Sequence, residues 1–116
     1  MDSFGNGLDQ RYSDAIHVIV GIDIGGANLK FASETKQAHA CFFPMWRRPE
    51  TLKDSLCQSL GLYRDISAIA VVMTGELADC FIDRAEGVFH IVDHTRSAAA
   101  ELGINACYFY GVDGLF

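Results

Sequence analysis

Asp23-Ile24-Gly25-Gly26-Ala27-Asn28 separates two strand-like runs and decides how the first part of this chain folds. The run before it, residues 16–22, is apolar and β-branched, whereas the run after it, residues 29–32, alternates apolar with polar or small residues. Two such runs around adjacent glycines are typical of a β-hairpin. The turn would place the Asp23 carboxylate beside bare backbone N–H groups, which suit phosphate oxygens and a phosphate-bound magnesium ion. The pattern also fits a plain glycine-rich hairpin with a capping aspartate.

Length and composition indicate one modest domain, or a piece of one. The 116 residues are 50% hydrophobic, which is enough to form a core. The net charge of −6 argues against nucleic-acid binding by the bulk of the chain. No apolar run reaches the roughly 18 residues that a membrane span needs. The four cysteines are widely spaced without a C-x-x-C pair, which favours reduced thiols in a cytoplasmic protein over a disulfide framework.

The hydrophobic pattern predicts the element order βββαβαβ. In chain order, we expect strands at about 16–22, 28–33 and 38–43, a helix at 50–60, a strand at 66–73, a helix at 84–102 and a strand at 106–112. The first three strands form an antiparallel meander. The nearly continuous apolar run at 66–73 is typical of a strand buried on both faces. Right-handed crossovers would place the last two strands parallel to the first.

This order is that of the ribonuclease-H-like fold, which is also the half-unit of the actin-like ATPase superfamily. We therefore expect an α/β fold with a mixed sheet at residues 15–116, after a disordered lead-in at residues 1–14. In that superfamily a nucleotide lies between two half-units, and this chain shows one. We interpret it as the first part of a longer two-lobed protein, with a complete small domain as the alternative. An unpaired half-unit leaves an apolar face exposed, which favours self-association.

Three segments resemble motifs of a known family. They are residues 20–30 (VGIDIGGANLK), residues 72–81 (VMTGELADCF) with 84–88 (RAEGV) behind them, and residues 110–114 (YGVDG). The family is the hydantoinase/oxoprolinase-related proteins of tetrahydromethanopterin-linked one-carbon transfer. It includes the aminomethylfuran–phenoxy ether synthases of methanofuran biosynthesis. The resemblance runs from about residue 15 to residue 116, and the long second motif is its most specific part.

The resemblance implies an actin-like fold and a transferase reaction. The diphosphate of an aminomethylfuran-methanol condenses with the phenol of γ-glutamyltyramine, and pyrophosphate is released. Such a site holds a diphosphate leaving group, removes a proton from a phenol and keeps water from a cation-like carbon. Mg²⁺ is the expected cofactor, and the use of a nucleotide stays open. We expect the 116-residue chain alone to be inactive.

The candidate site residues fall into three groups. For catalysis they are Lys30, Glu76 and Asp79; for phosphate binding Gly25, Gly26, Ala27, Asn28, Thr74 and Gly75; and for the metal Asp23 and Asp113. Lys30 would act as a point charge on the phosphates. Glu76 and Asp79 follow a buried strand, at the carboxyl edge where α/β sheets bind ligands, and would serve as base or second metal ligand. Capping of a helix N-terminus also explains the two acidic residues, and a plain turn also explains Asp113.

Other residues have equally simple structural explanations. His90 and His94, spaced four apart, fit a metal pair or a pair at the edge of the core. The aromatic residues of segment 42–46 fit a ring-binding wall or burial against the third strand. Arg47 and Arg48 fit a contact to the glutamyl carboxylate of the substrate or a solvated loop.

Two other functions stay open on the sequence. One is an ATP-dependent small-molecule kinase of the actin-like superfamily, because the Asp-x-Gly-Gly pattern holds phosphate there as well. The other is a non-catalytic binding or oligomerisation module. The synthase and the kinase differ in whether a furan diphosphate or ATP is bound, and the binding module needs neither.

Overall fold

The computed structural model of the protein describes residues 18–111 and 114–115. They form a six-stranded mixed sheet with the strand order β3-β2-β1-β4-β5-β6. In chain order, the elements are β1 (Val18–Ile24), β2 (Asn28–Ser33), β3 (Ala38–Phe42), a 3₁₀ turn (Pro49–Thr51), α1 (Leu52–Leu60), β4 (Ile66–Met73), a second 3₁₀ turn (Gly75–Leu77), α2 (Arg84–Glu101), β5 (Ala106–Gly111) and β6 (Gly114–Leu115). The lead-in at residues 1–14 lies outside the described residues.

The predicted order βββαβαβ is confirmed, and so are the strand directions. β1, β2 and β3 pair antiparallel, while β4 pairs parallel with β1 and β5 pairs parallel with β4. The sequence did not indicate the short β6, which pairs antiparallel with β5. In this sheet β1 is a central strand, so its carboxyl end lies between the amino end of the antiparallel β2 and the carboxyl end of the parallel β4.

Both helices pack on one face of the sheet and enclose the core. Leu52, Leu56 and Leu60 of α1 are fully buried there, since residues four apart share one helix face. Asp83 caps the N-terminus of helix α2, and its carboxylate accepts a hydrogen bond from the Glu86 N–H at 2.9 Å. The helix ends before Gly103, whose φ of +74° suits a residue without a side chain.

The opposite face of the sheet is not covered by any described element. Ile19, Val72, Tyr108 and Tyr110 lie on it, and each is at least 45% exposed. The expectation that β4 is buried on both faces is therefore wrong for the described part of the chain: only alternate residues of this strand are buried. Exposed apolar surface of this kind favours association, and self-association stays a prediction. No described helix combines the length and apolar character needed to span a membrane.

Candidate functional site

The turn between β1 and β2 is held by the segment that follows β3. The Phe43 N–H donates to the Ala27 carbonyl oxygen at 2.8 Å, and the Met45 N–H donates to that of Gly26 at 3.0 Å. In a trans peptide the C=O and the N–H point in opposite directions. The Ala27 N–H, in the same peptide as the Gly26 carbonyl, therefore points away from this segment. It donates to no described residue, so it is available to an anion.

The loop after β4 lies directly against this turn. The Thr74 N–H donates to the Ile24 carbonyl oxygen at 3.0 Å. A Cβ atom at position 75 would lie 2.7 Å from the Gly25 carbonyl oxygen, which is too close for any side chain. The two predicted phosphate-binding segments are therefore neighbours in space, because the parallel strands β1 and β4 end at the same edge of the sheet.

A cavity of about 310 Å³ opens between the turn and the loop, which we call the turn cavity; it is lined by Gly26, Ala27, Trp46, Ala78 and Asp79. The half-exposed Trp46 ring meets the Phe42 ring edge-on, with 6.4 Å between the ring centroids. Phe43, by contrast, is buried in the core and only 1% exposed. The turn cavity therefore has one carboxylate and an aromatic wall beside the available N–H group of Ala27.

Asp23 lies next to last in β1, on the face of the sheet opposite the helices. Its neighbours Ile22 and Ile24 are buried in the core, and successive side chains of a strand point to opposite faces. Across the sheet, Asp23 faces Lys30 of β2 and Val72 of β4. Its Oδ1 atom is buried and has no hydrogen-bond partner among the described residues. Because a buried carboxylate oxygen without a partner is costly, this atom marks a position for a cation or an ordered water molecule.

Glu76 is not part of the turn cavity. Its side chain is 0% exposed, and its Oε2 atom lies 3.7 Å from the Nε atom of Arg84. Helix α2 approaches so closely that a Cβ atom at Gly87 would collide with the Glu76 backbone. A general base must reach the proton that it removes. The catalytic role predicted for Glu76 does not fit this burial, and its ion pair with Arg84 instead connects the loop after β4 to the first turn of α2.

The other predicted residues are placed as follows. Lys30 and Asn28 are exposed on β2, and Asp79 lies at the turn cavity. The Thr74 hydroxyl borders the turn, since a Cβ atom added at Gly25 would lie 3.5 Å from it. Asp113 lies outside the described residues. Among the residues that the structure describes, no group of three or more His, Cys, Asp or Glu side chains could hold a metal ion.

His90 and His94 connect the two helices. Their rings stack with centroids 4.0 Å apart. His94 Nδ1 accepts a hydrogen bond from the Lys53 N–H at 3.1 Å, in the first turn of α1. His90 Nε2 lies 2.7 Å from the Pro49 carbonyl oxygen. Since each ring uses one nitrogen on the backbone around the start of α1, the geometry favours the structural explanation over a metal pair.

We expect the free energy of unfolding to fall as the pH drops below about 6.5. Burial, followed by the neighbouring His90, lowers the pKa of His94 below 6.5 in the folded protein, while Asp93 and Asp54 oppose the shift and Lys53 adds to it. The unfolded chain therefore takes up the proton first, and stability present above pH 6.5 is lost towards the folded-state pKa. Urea unfolding at pH 7.5 and pH 5.5 measures this loss. We expect a decrease in the free energy of unfolding of about 1 kcal/mol, the scale of one helix cap, because a protonated His94 Nδ1 no longer accepts from the Lys53 N–H. An equal loss in His94→Gln would contradict it.

No protein-family model matches the chain. Over 85 residues it is 41% identical to the (4-{4-(2-(gamma-L-glutamylamino)ethyl)phenoxymethyl}furan-2-yl)methanamine synthase of Methanocaldococcus jannaschii. The chain is related to this synthase. The match covers 70% of the chain and 24% of the synthase, so the chain spans about a quarter of the length of this relative. The relationship predicted from the motifs at residues 20–30 and 72–81 is confirmed.

Two solved structures share the fold. The first, Thermus thermophilus RuvC in complex with a Holliday junction substrate, has a TM-score of 0.56 at 20% identity, over 84% of this chain and 66% of RuvC. The second, a Thermus thermophilus RuvC structure, has a TM-score of 0.52 at 22% identity, over 81% of this chain and 63% of RuvC. At such identities the likeness shows the fold alone. It confirms the predicted ribonuclease-H-like α/β fold.

Proposed function

We propose that this chain is the diphosphate-binding part of a transferase that joins an aminomethylfuran-methanol diphosphate to the phenol of γ-glutamyltyramine and releases pyrophosphate. The name of its relative describes such a product, a furan methanamine linked through a phenoxymethyl group to a γ-glutamylaminoethyl tail. The observation that carries the proposal is the turn cavity, where the available N–H group of Ala27 lies beside an aromatic wall. This combination suits a substrate in which a diphosphate is attached to an aromatic furan ring.

The backbone of the β1–β2 turn would bind the diphosphate. The Ala27 N–H points away from the segment that holds the turn, and the Thr74 hydroxyl borders the same turn from the neighbouring loop. Fixed N–H donors stabilise negative charge as it develops on the leaving pyrophosphate. Lys30 is exposed beside Asp23, and its ammonium group would add a positive charge on the same side of the sheet.

Asp23 fits a magnesium ion. Magnesium is usually held by one or two carboxylates together with phosphate oxygens and water molecules, so it needs no cluster of protein ligands. The buried, unpartnered Oδ1 atom of Asp23 is such a carboxylate oxygen. When bound, the ion would neutralise charge on the diphosphate. Asp113, the second predicted ligand, lies outside the described residues.

Asp79 takes the role of general base in this proposal. Of the residues that line the turn cavity in the structure, it carries the only carboxylate. In the reaction a bond forms between the phenol oxygen and the furan methylene carbon, while the bond from that carbon to the diphosphate oxygen breaks. The phenol proton passes to the Asp79 carboxylate. The Trp46 and Phe42 rings offer a surface on which the furan or the phenol ring packs and from which water is excluded.

The experiment that tests this function measures pyrophosphate and ether formed by the full-length protein from the furan diphosphate and γ-glutamyltyramine. We expect both products in equal amounts, and a rate about 100-fold lower in Asp79→Asn. Asp65→Asn is the matched control, because it removes the same charge from an exposed residue just before β4, at the end of that strand far from the turn cavity. Phosphate transfer from ATP without ether formation would contradict the proposal and support a kinase.

A further inference from the structure

A second cavity, of about 430 Å³, lies between the edge strand β3 and helix α1. We propose that this cavity, here called the edge cavity, binds the carboxylate-bearing tail of the substrate. His39 and Phe42 of β3, Arg48 of the following loop, and Ser55 and Gln58 of α1 are among the residues that line it. The identity of the tail as γ-glutamyl rests on the proposed function, whereas the preference for a carboxylate rests on the cavity itself.

The edge cavity has the chemistry of a carboxylate site. The Arg48 guanidinium makes no ion pair and no side-chain hydrogen bond with any described residue. The cavity lining contains no Asp or Glu, although the whole chain carries a net charge of −6. The Ser55 hydroxyl and the Gln58 amide add neutral donors on the α1 side. A planar guanidinium binds a carboxylate through two parallel, charge-assisted hydrogen bonds, which give both strength and a fixed geometry.

One pair of aromatic residues connects the lining of the edge cavity with that of the turn cavity. Phe42 lines the edge cavity, Trp46 lines the turn cavity, and their rings are in edge-to-face contact. A substrate whose phenol ring packs on this pair would have its reacting oxygen on the side of the diphosphate and its tail on the side of Arg48. A γ-glutamylaminoethyl tail extends about 10 Å from the ring when stretched, by ordinary bond lengths. The ring pair therefore separates the reacting end of the substrate from its recognised end.

Binding of two phenols that differ only in the tail tests this inference. We would titrate γ-glutamyltyramine and tyramine, which lacks the glutamyl group, into the full-length protein by calorimetry. Arg48→Gln should lower the affinity for γ-glutamyltyramine about tenfold or more, on the scale of one lost charge-assisted contact. It should change the affinity for tyramine by less than about twofold. The exposed Arg48 side chain has no described partner, so its loss should not unfold the protein.

Arg47→Gln is the matched control. Arg47 is next to Arg48 in sequence and carries the same charge, but it does not line the edge cavity. We expect the affinity of this variant for γ-glutamyltyramine to stay within about twofold of the wild type. Equal losses in both variants, or an equal effect of Arg48→Gln on tyramine, would overturn the inference.

The proposed function and the proposed tail site can be contradicted independently of each other. If the protein forms no ether but Arg48→Gln still selectively weakens γ-glutamyltyramine, the tail site stands and the proposed function falls. If ether formation proceeds and Arg48→Gln leaves the KM for γ-glutamyltyramine unchanged, the function stands and the tail site falls.

Discussion

Replacing Gly87 with alanine will lower the thermal unfolding midpoint of this protein by about 8 °C or more. Gly87 lies in helix α2 where the helix crosses the loop after β4. A Cβ atom there would lie 2.7 Å from both the Cα and the carbonyl carbon of Glu76. These are backbone atoms, so no side-chain rotation relieves the clash, and either the helix or the loop must move. Movement would also disturb the ion pair between the buried Glu76 carboxylate and Arg84.

Two opposing terms decide the sign of this prediction. At an ordinary helix position, glycine to alanine stabilises by about 1 kcal/mol through helix propensity. Forcing a methyl group into a filled backbone contact costs about 3 kcal/mol. The difference, about 2 kcal/mol, corresponds to the predicted shift in a domain of this size. Scanning calorimetry measures it, with Gly26→Ala as control, because a Cβ atom at Gly26 would meet nothing within 4 Å. A Gly87→Ala protein as stable as the wild type would show that α2 does not pack against this loop.

The order of the elements could be predicted because each carries its own local signal. The β-branched run before the glycine turn and the alternating run after it define the first hairpin, and leucines four apart define α1. A glycine at position 103 marks the end of α2, where the backbone adopts a positive φ. These signals depend on neighbours in sequence, so one chain suffices to detect them.

The burial of β4 and of Glu76 could not be predicted in the same way. The apolar run at 66–73 indicates a strand but does not show what covers each face, and the described elements cover one. The burial of Glu76 depends on α2 lying against it, which requires a glycine in the first turn of that helix. An isolated glycine in a helical pattern is a usable signal of close packing. Gly87 is such a glycine, and its contact with the Glu76 backbone in the structure reveals where Glu76 lies.

Part of the candidate site could be predicted and part could not. The turn at residues 25–28 and the loop at 74–75 meet because parallel strands end together, which the motif positions already implied. The gathering of Trp46 and Asp79 at this turn depends on long-range backbone hydrogen bonds, such as the one from Met45 to Gly26. The edge cavity depends in the same way on how α1 lies against β3. The spacing of residues along the chain does not indicate either arrangement.

Asp23→Asn is expected to weaken the binding of magnesium pyrophosphate about tenfold or more, on the scale of one lost charge-assisted contact. The substitution keeps the shape of the side chain but removes the negative charge from an oxygen that is buried and without a described partner. An amide oxygen is a weaker magnesium ligand than a carboxylate. Without magnesium the sign should reverse, because the aspartate then only repels the anion. The Asp23→Asn protein should therefore bind free pyrophosphate at least as well as the wild type.

Asp65→Asn is the matched control for this charge change. Asp65 is exposed before β4 and has a φ of 56°, which asparagine adopts readily. We propose that Asp23 and the β1–β2 turn together hold a magnesium-bound diphosphate. Calorimetric titration of pyrophosphate, with magnesium and with EDTA, into the wild type, Asp23→Asn and Asp65→Asn tests it most directly. We expect an affinity loss of about tenfold or more in Asp23→Asn with magnesium only, and no loss in Asp65→Asn. Equal affinities of all three proteins for magnesium pyrophosphate would contradict it.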